Sequence, residues 1–229
     1  MNSIHDDEFG DIQVRRSVGS SSVRISVSPS GTLKASLPAY APLFMLKRLI
    51  NSSRDNLRAM LEQHKPAYEI TDGMQVGKSH RIVIINAKTS TVKRYKQQIS
   101  VLLAPGDTVS DTKIAKDIRT EIIAALRIEA KSYLPKRLRY LADQLGHDYE
   151  RVRFSHASSR WGSCSTTGTI SLNIALMKLP FEIIDYVLIH ELSHTKQMNH
   201  SQKFWHLVEQ GDPSYKLHRR LLKSQSPTI

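Results

Sequence analysis

The chain has 229 residues, and 40% of them are apolar, so it can bury a sizeable core, which argues against wholesale disorder. Its single cysteine, Cys164, excludes an internal disulfide framework and fits a reducing compartment. The formal net charge of +12 favours anionic partners such as nucleic acid or nucleotides about as strongly as a merely solubilising surface.

The N-terminal residues 1–11 are acidic and polar and contain no lysine or arginine. They lack the apolar segment of a secretory signal, and no run of about 18 apolar residues follows elsewhere in the chain. We therefore expect a disordered acidic tail at 1–11, no membrane-spanning helix, and a cytoplasmic protein.

Residues 12–105 have the pattern of a β-rich region. Alternating apolar residues on either side of Pro29-Ser30-Gly31 predict a β-hairpin over residues 23–37. Helical spacing predicts one helix over residues 43–63, and short strands follow over 68–104. Pro105-Gly106 interrupts the pattern and is the best candidate for a domain boundary.

Residues 106–229 are predicted to hold a helical middle and a catalytic core. An apolar stripe predicts a helix over 112–133, and Pro135 and Gly146 would begin and end a second helix. The basic face of residues 113–139 carries eight cations, opposed by Asp117, Glu121 and Glu129. The eight are Lys113, Lys116, Arg119, Arg127, Lys131, Lys136, Arg137 and Arg139. This face predicts weak polyanion binding without sequence preference, although a merely solvated face is the slightly favoured alternative.

Residues 190–194 read His-Glu-Leu-Ser-His, and the preceding apolar residues predict that they lie on a buried helix. Residues four apart lie on the same face of a helix, so His190 and His194 can bind one metal ion. Glu191 would then face the open side of the metal and act as general base toward a water molecule there.

A catalytic zinc needs a third protein ligand, for which His200 is the best candidate. A continuous helix would put His190 and His200 about 15 Å apart, so the helix must break between His194 and His200, with Asn199 as the suitable residue. The spacing equals that of the metzincin motif, but Gln197 replaces its glycine. Competing third ligands remain open, and they are His206, Glu209 and Asp212.

The flanking motifs resemble the YgjP-like metallopeptidase family, which is related to the SprT-like zincins. The matching segments are Arg160–Cys164, Leu172-Asn173, Tyr186-Val187, the 190–194 motif, Asn199–Ser201 and Phe204-Trp205. Their order and spacing match throughout. The resemblance implies zinc on His190, His194 and His200, with Glu191 catalytic in a peptidase.

Other chemistry-bearing residues allow more than one interpretation. Arg160 would bind an oxyanion or a substrate carboxylate, or else pair with Asp185 on the helix that carries His190 and His194. Cys164 is expected to be a packed turn residue rather than a nucleophile. His156 is expected to be exposed, and His206 and His218 are expected to be solvated on a basic C-terminal helix. Phe204 and Trp205 would pack the loop that carries His200 against the helix that carries His190 and His194.

Together these patterns predict an α+β fold with a zincin-like catalytic core after an N-terminal β-rich region. Residues 168–174 would form the strand beside the cleft, whose edge pairs with an extended peptide substrate. The predicted activity is zinc-dependent hydrolysis of peptide bonds in peptides or proteins. Two alternatives remain: a metal-dependent hydrolase of phosphoanhydrides in nucleotides, and a nucleic-acid-associated SprT-like protease.

Overall fold

A computed structural model describes residues 2–27, 32–63 and 70–229, and it divides the chain into two compact units, Met1–Glu69 and Ile70–Ile229. Helices and strands are mixed in both units, so the expected α+β class is confirmed. Among the described residues, no helix is both long and apolar enough to cross a membrane.

The first unit is a four-stranded sheet with two helices. Its strands are β1 (Asn2–Asp6), β2 (Gly10–Ser17), β3 (Arg24–Val27) and β4 (Leu33–Pro38), in the order β1-β2-β4-β3. The antiparallel pairing of β3 with β4 confirms the predicted hairpin, although its turn, residues 28–31, lies outside the described residues. The helices are α1 (Leu43–Ser52) and α2 (Arg54–Gln63), and Leu46 and Ile50 of α1 belong to the same buried core as Ile12 and Leu37.

The acidic N-terminus is a strand where the sequence predicts a disordered tail. Residues of β1 pair antiparallel with β2, with Ile4 opposite Ile12. Asp6 and Glu8 accept hydrogen bonds from Arg54 at 3.0 and 2.8 Å. The prediction was wrong because the acidic side chains are neutralised by arginines about 50 residues away in the sequence, and single-sequence patterns do not reveal such pairs.

The helix predicted over residues 43–63 is two helices, because Ser53 leaves the helical conformation. Its φ and ψ angles are −125° and 18°, and its N–H donates to the Ile50 carbonyl three residues back. The apolar spacing is the same on both sides of this residue, so the break has no signal in the hydrophobic pattern.

The second unit begins with another four-stranded sheet, which packs on a long helix. The strands are β5 (Gln75–Val76), β6 (His80–Asn86), β7 (Thr91–Tyr95) and β8 (Gln98–Leu103), in the order β5-β6-β8-β7. Ile82, Ile99 and Val101 of this sheet share a buried core with the helix α3 (Thr112–Leu145). The boundary between the two units therefore falls at residues 69–70 rather than at Pro105-Gly106.

Helix α3 runs through Pro135 without ending, whereas the sequence predicts two helices there. A proline inside a helix removes one backbone hydrogen bond and usually kinks or ends the helix. Here the buried stripe that begins at Ile114 stays in phase beyond the proline, to Leu138 and Leu141. Tertiary packing of that stripe on both sides of Pro135 explains why the helix continues.

A three-stranded sheet precedes the motif helix. Its strands are β9 (Arg151–Ser155), β10 (Gly162–Cys164) and β11 (Thr169–Asn173), in the order β10-β11-β9. Strand β11 is parallel to β9 and antiparallel to β10, so both of its edges are paired. The expectation that a peptide pairs with residues 168–174 is therefore wrong, and β10 is an edge strand of this sheet.

The chain then continues through a 3₁₀ helix (Ile174–Lys178) and three α-helices, α4 (Phe181–Ser193), α5 (Gln202–Gly211) and α6 (Tyr215–Lys223). Both α5 and α6 pack on α4.

Glu129 is not part of an exposed basic face, because it is buried between α3 and the turn that precedes β6. Its carboxylate accepts hydrogen bonds from the backbone N–H groups of Lys78 and Ser79 at 2.6 and 2.9 Å, and it contacts His80 Nδ1 at 2.6 Å. Gly77, at φ +66°, leaves room for it, since a Cβ atom there would overlap the carboxylate. This cluster ties the small sheet to the middle of α3.

Replacing Glu129 with Gln should lower the free energy of unfolding by about 2–4 kcal/mol, because buried donors lose their charged acceptor. Burial raises the pKa of Glu129, but hydrogen bonds from His80, Lys78 and Ser79 outweigh it and leave the pKa below its usual value. The stabilisation is therefore present above the unfolded-state pKa of about 4.3 and is lost as the pH falls through the lowered folded-state pKa.

Urea unfolding at pH 7 and at pH 3 tests this prediction, with Asp117→Asn as the control because Asp117 is an exposed carboxylate on the same helix. The difference between wild type and Glu129→Gln should shrink at pH 3. Equal stability of the two proteins at pH 7 would contradict the assignment.

The basic face of residues 113–139 is only partly solvated. Arg137 donates to both carboxylate oxygens of Asp185 on α4, at 2.8 and 2.7 Å. Arg119 is half-buried. Since Asp185 is bound to Arg137, its predicted pairing with Arg160 is not found.

Candidate metal centre

Helix α4 presents the two motif histidines from an almost wholly apolar helix. Its buried residues include Ile184, Leu188 and Leu192, which hold the helix in the core of the unit. His190 and His194 are one turn apart, and their ring centroids are 5.0 Å apart in an edge-to-face arrangement. The rigid backbone therefore fixes both rings on one face, as the spacing predicts.

His200 returns to the two helix histidines because the chain reverses directly after α4. The helix ends at Ser193, and Thr195 and Gln197 donate their N–H groups back to Leu192 and Ser193 in tight turns. The predicted break is confirmed, although it begins before Asn199. The Asn199 side chain instead accepts hydrogen bonds from Gln197 and from the Ser201 N–H, which shape the loop.

The three histidine rings form a set that could hold a metal ion. One ring nitrogen from each lies within 4.8 Å of the others. His190 Nε2 and His200 Nε2 are 3.2 Å apart. Zinc–nitrogen bonds of about 2.0–2.1 Å at tetrahedral angles place two ligand nitrogens about 3.3 Å apart, so this separation suits a shared ion.

Protonation also suits this role, because a histidine must be neutral to bind a metal. Burial lowers the pKa of His190 to about 3, with smaller contributions from His194, His200 and Arg219. Burial likewise lowers the pKa of His194, whose Nδ1 lies 3.2 Å from the Gln197 carbonyl. A proton on that Nδ1 donates to the carbonyl and leaves Nε2 free.

The competing third ligands have other partners or are exposed to solvent. Asp212 binds His218 Nδ1 at 2.7 Å, and His206 Nε2 contacts the Gln210 amide at 3.2 Å. Glu209 is exposed. None of the three belongs to the set formed by His190, His194 and His200.

Phe204 and Trp205 pack the histidine loop in place, as expected. The buried Phe204 ring lies 4.9, 4.5 and 4.7 Å from the rings of His190, His194 and His200. Trp205 stacks on His200 with 25° between the ring planes. Its ring also stacks on Tyr215 and lies under the guanidinium of Arg219, both on α6. The aromatic pair thus connects the third histidine to α5 and α6.

Glu191 is buried against the edge strand β10. A Cβ atom at Gly162 would lie 2.6 Å from Glu191 Oε1. The carboxylate therefore occupies the space that the side chain of any other residue at position 162 would need. Burial raises the pKa of Glu191 to about 8, while the positive charge of Arg160 acts in the opposite direction. A cation held by the three histidines would add to the effect of Arg160 and favour the ionised carboxylate.

Asn173 holds the loop that carries Arg160, a role that was not predicted. Its side-chain amide donates to the carbonyls of Ala157 and Arg160 at 2.7 and 2.9 Å, and its Oδ1 accepts from the Ala175 N–H. The sequence offered one signal for this role, which is an asparagine at the end of a predicted buried strand. A buried amide needs hydrogen-bond partners, so it is expected to bind a neighbouring loop.

The other candidate residues do not belong to the three-histidine set. Burial raises the pKa of Cys164 to about 11, so its thiol stays protonated and is a poor nucleophile. His156 is half-buried rather than exposed. Its burial lowers its pKa, and the positive charges of Arg119 and Arg127 lower it further. His218 is not solvated as expected, since it pairs with Asp212, whereas His206 is exposed.

Comparison with known proteins identifies a family. Residues 21–225 match the family model described as YgjP-like, metallopeptidase domain. Two solved structures are similar in part. The metallopeptidase zymogen of Pyrococcus abyssi abylysin is 32% identical over 39% of this chain and 92% of that chain, with a TM-score of 0.36. That of Methanocaldococcus jannaschii jannalysin is 20% identical over 40% and 96%, with a TM-score of 0.33.

A search of curated proteins finds no match. The family model nevertheless spans most of the chain, including the three histidines, Glu191 and the loop of Arg160. This chain therefore belongs to the YgjP-like metallopeptidase family.

Proposed function

We propose that the protein is a zinc metallopeptidase that binds zinc through His190, His194 and His200 and uses Glu191 as general base. The observation that carries this proposal is the convergence of three ring nitrogens within 4.8 Å beside a buried carboxylate. Three imidazoles with one open position are typical donors of a catalytic zinc, whereas calcium and magnesium prefer oxygen ligands. A zinc ion held there would supply Lewis-acid polarisation of the scissile carbonyl and would lower the pKa of a bound water.

Glu191 would accept a proton from that water as it adds to the scissile carbonyl, and would later donate the proton to the leaving amine. Its burial against Gly162 fixes the carboxylate and keeps bulk water away. Arg160 is exposed, and its charge reaches Glu191. It would therefore stabilise the oxyanion that develops on the former carbonyl oxygen.

An extended peptide would reach this centre along β10. Strand β10 packs on α4 and has one edge paired with β11, which leaves the other as a sheet edge among the described strands. Main-chain hydrogen bonds to such an edge align a peptide without demanding a particular sequence. Gly162 belongs to this strand and contacts Glu191, so the docked backbone would lie beside the general base.

Cleavage of an unstructured protein such as casein tests the proposal. We expect cleavage by the zinc-loaded protein, its loss after treatment with a chelator, and its return when one equivalent of zinc is added. The matched control is ATP, because the same metal and carboxylate could activate water against a phosphoanhydride. Zinc-dependent phosphate release without any peptide cleavage would overturn the proposal in favour of a nucleotide hydrolase.

A further inference from the structure

The α6 basic face consists of Lys216, Arg219, Arg220 and Lys223. Their spacing of three and four residues places them on one side of the helix, where they line a shallow cavity of about 200 Å³. All four side chains are exposed. A protein surface that gathers four positive charges in one depression attracts anions.

These charges have no acidic partner within the described part of the chain. No ion pair joins any of the four to a carboxylate, and α6 itself contains no acidic residue. Asp212, the acidic residue nearest in the sequence, is bound to His218. Like charges at helical spacing repel one another and destabilise the helix, so an anionic ligand would relieve the repulsion.

The α6 basic face adjoins the metal centre. The Arg219 guanidinium lies over the ring of Trp205, 4.5 Å from its centroid, and that ring stacks on His200 at 5.7 Å. Arg219 is thus connected to the third histidine by a single aromatic side chain. Trp205 also stacks on Tyr215, the first residue of α6, so the helix that carries the basic face packs on the aromatic side chain that contacts His200.

We propose that the α6 basic face is a substrate subsite that binds a carboxylate of the peptide, an inference that rests on the proposed peptidase function. Arginine recognises carboxylates through two parallel hydrogen bonds, and lysines add charge without directional demands. The carboxylate belongs either to an acidic side chain or to the free C-terminus of the substrate. The subsite makes the enzyme prefer anionic peptides.

Binding to zinc-loaded Glu191→Gln protein tests the subsite without depending on turnover. Three ten-residue peptides are compared by fluorescence anisotropy: a neutral amidated peptide, the same peptide with two internal aspartates, and the neutral peptide with a free C-terminus. At least one of the two anionic peptides should bind about tenfold more tightly than the neutral peptide, as two to four exposed ion pairs allow. Whichever anionic peptide gains affinity identifies the source of the carboxylate.

The double variant Lys216→Gln/Arg220→Gln should remove this preference, and it leaves Arg219 on Trp205 undisturbed. Lys47→Gln/Arg48→Gln is the matched control, since it neutralises one lysine and one arginine exposed on α1. The preference should also vanish at about 1 M salt, where the Debye length is about 3 Å.

Equal binding of the three peptides would overturn the subsite, and so would tighter binding of single-stranded DNA of equal charge. A failure of the proposed function has a different signature. It would appear as no cleavage of any peptide by the wild-type protein, while the binding preference persisted.

Discussion

Replacing Glu191 with Gln should reduce peptide hydrolysis by about 10²- to 10⁴-fold while zinc remains bound, since general-base catalysis contributes factors of this size. Glutamine preserves the shape that fits beside Gly162 but cannot accept a proton. The three histidines keep their positions, because Glu191 contributes no atom to the set of nitrogens. The measurement is the steady-state cleavage rate of a quenched fluorescent peptide, paired with zinc content by elemental analysis.

The matched control is Glu182→Gln, which makes the same chemical change at an exposed position in the first turn of α4. It should retain the cleavage rate of the wild type. Near-wild-type turnover in Glu191→Gln would remove Glu191 from the mechanism. Loss of zinc from that variant would instead show that the carboxylate supports the metal site.

Replacing His200 with Ala should weaken zinc binding by more than about 100-fold, a larger loss than removal of an outer hydrogen-bond partner causes. His200 is exposed and lies in a loop, so the truncation should leave the fold intact. Two histidines on a helix would remain, and they are too few to fix a tetrahedral zinc. Titration of the apoprotein with zinc against a competing chromogenic chelator gives the affinity.

His206→Ala serves as the control, because His206 is an exposed histidine six residues farther on and contacts Gln210 rather than the centre. Its zinc affinity should match that of the wild type. Unchanged affinity in His200→Ala, with a loss in the variants of His206, Glu209 or Asp212, would transfer the third-ligand role to that residue.

The parts of the centre that follow local rules could be predicted from the sequence. The period of a helix alone brings His190 and His194 together, and the reach of a continuous helix alone requires a chain reversal before His200. The competing third ligands could not be ranked in this way. Their exclusion depends on partners that only the fold supplies, such as the contact of His218 with Asp212.

The parts that depend on contacts between distant segments were missed. Strand β11 was predicted to line the cleft because it comes shortly before the motif helix α4 in the sequence. In the structure, β10 pairs with one of its edges. Glu129 was predicted to be a surface charge because its neighbours on α3 are basic. Its carboxylate is in fact buried, and it accepts hydrogen bonds from residues about 50 positions earlier in the sequence. Gly162 carries no side chain at all, so its closeness to Glu191 becomes visible only in three dimensions.

Helix α3 has a consequence for how mutations reach the catalytic centre. One stripe of this helix is buried both by the small sheet β5–β8 and by the segment around the 3₁₀ helix and α4, within a single hydrophobic cluster. We therefore expect the small sheet and the helix α4, which carries the motif histidines, to unfold together as one cooperative unit. A cavity made at Ile99 or Val101 would lower the fraction of molecules that are active, while each folded molecule kept its normal turnover.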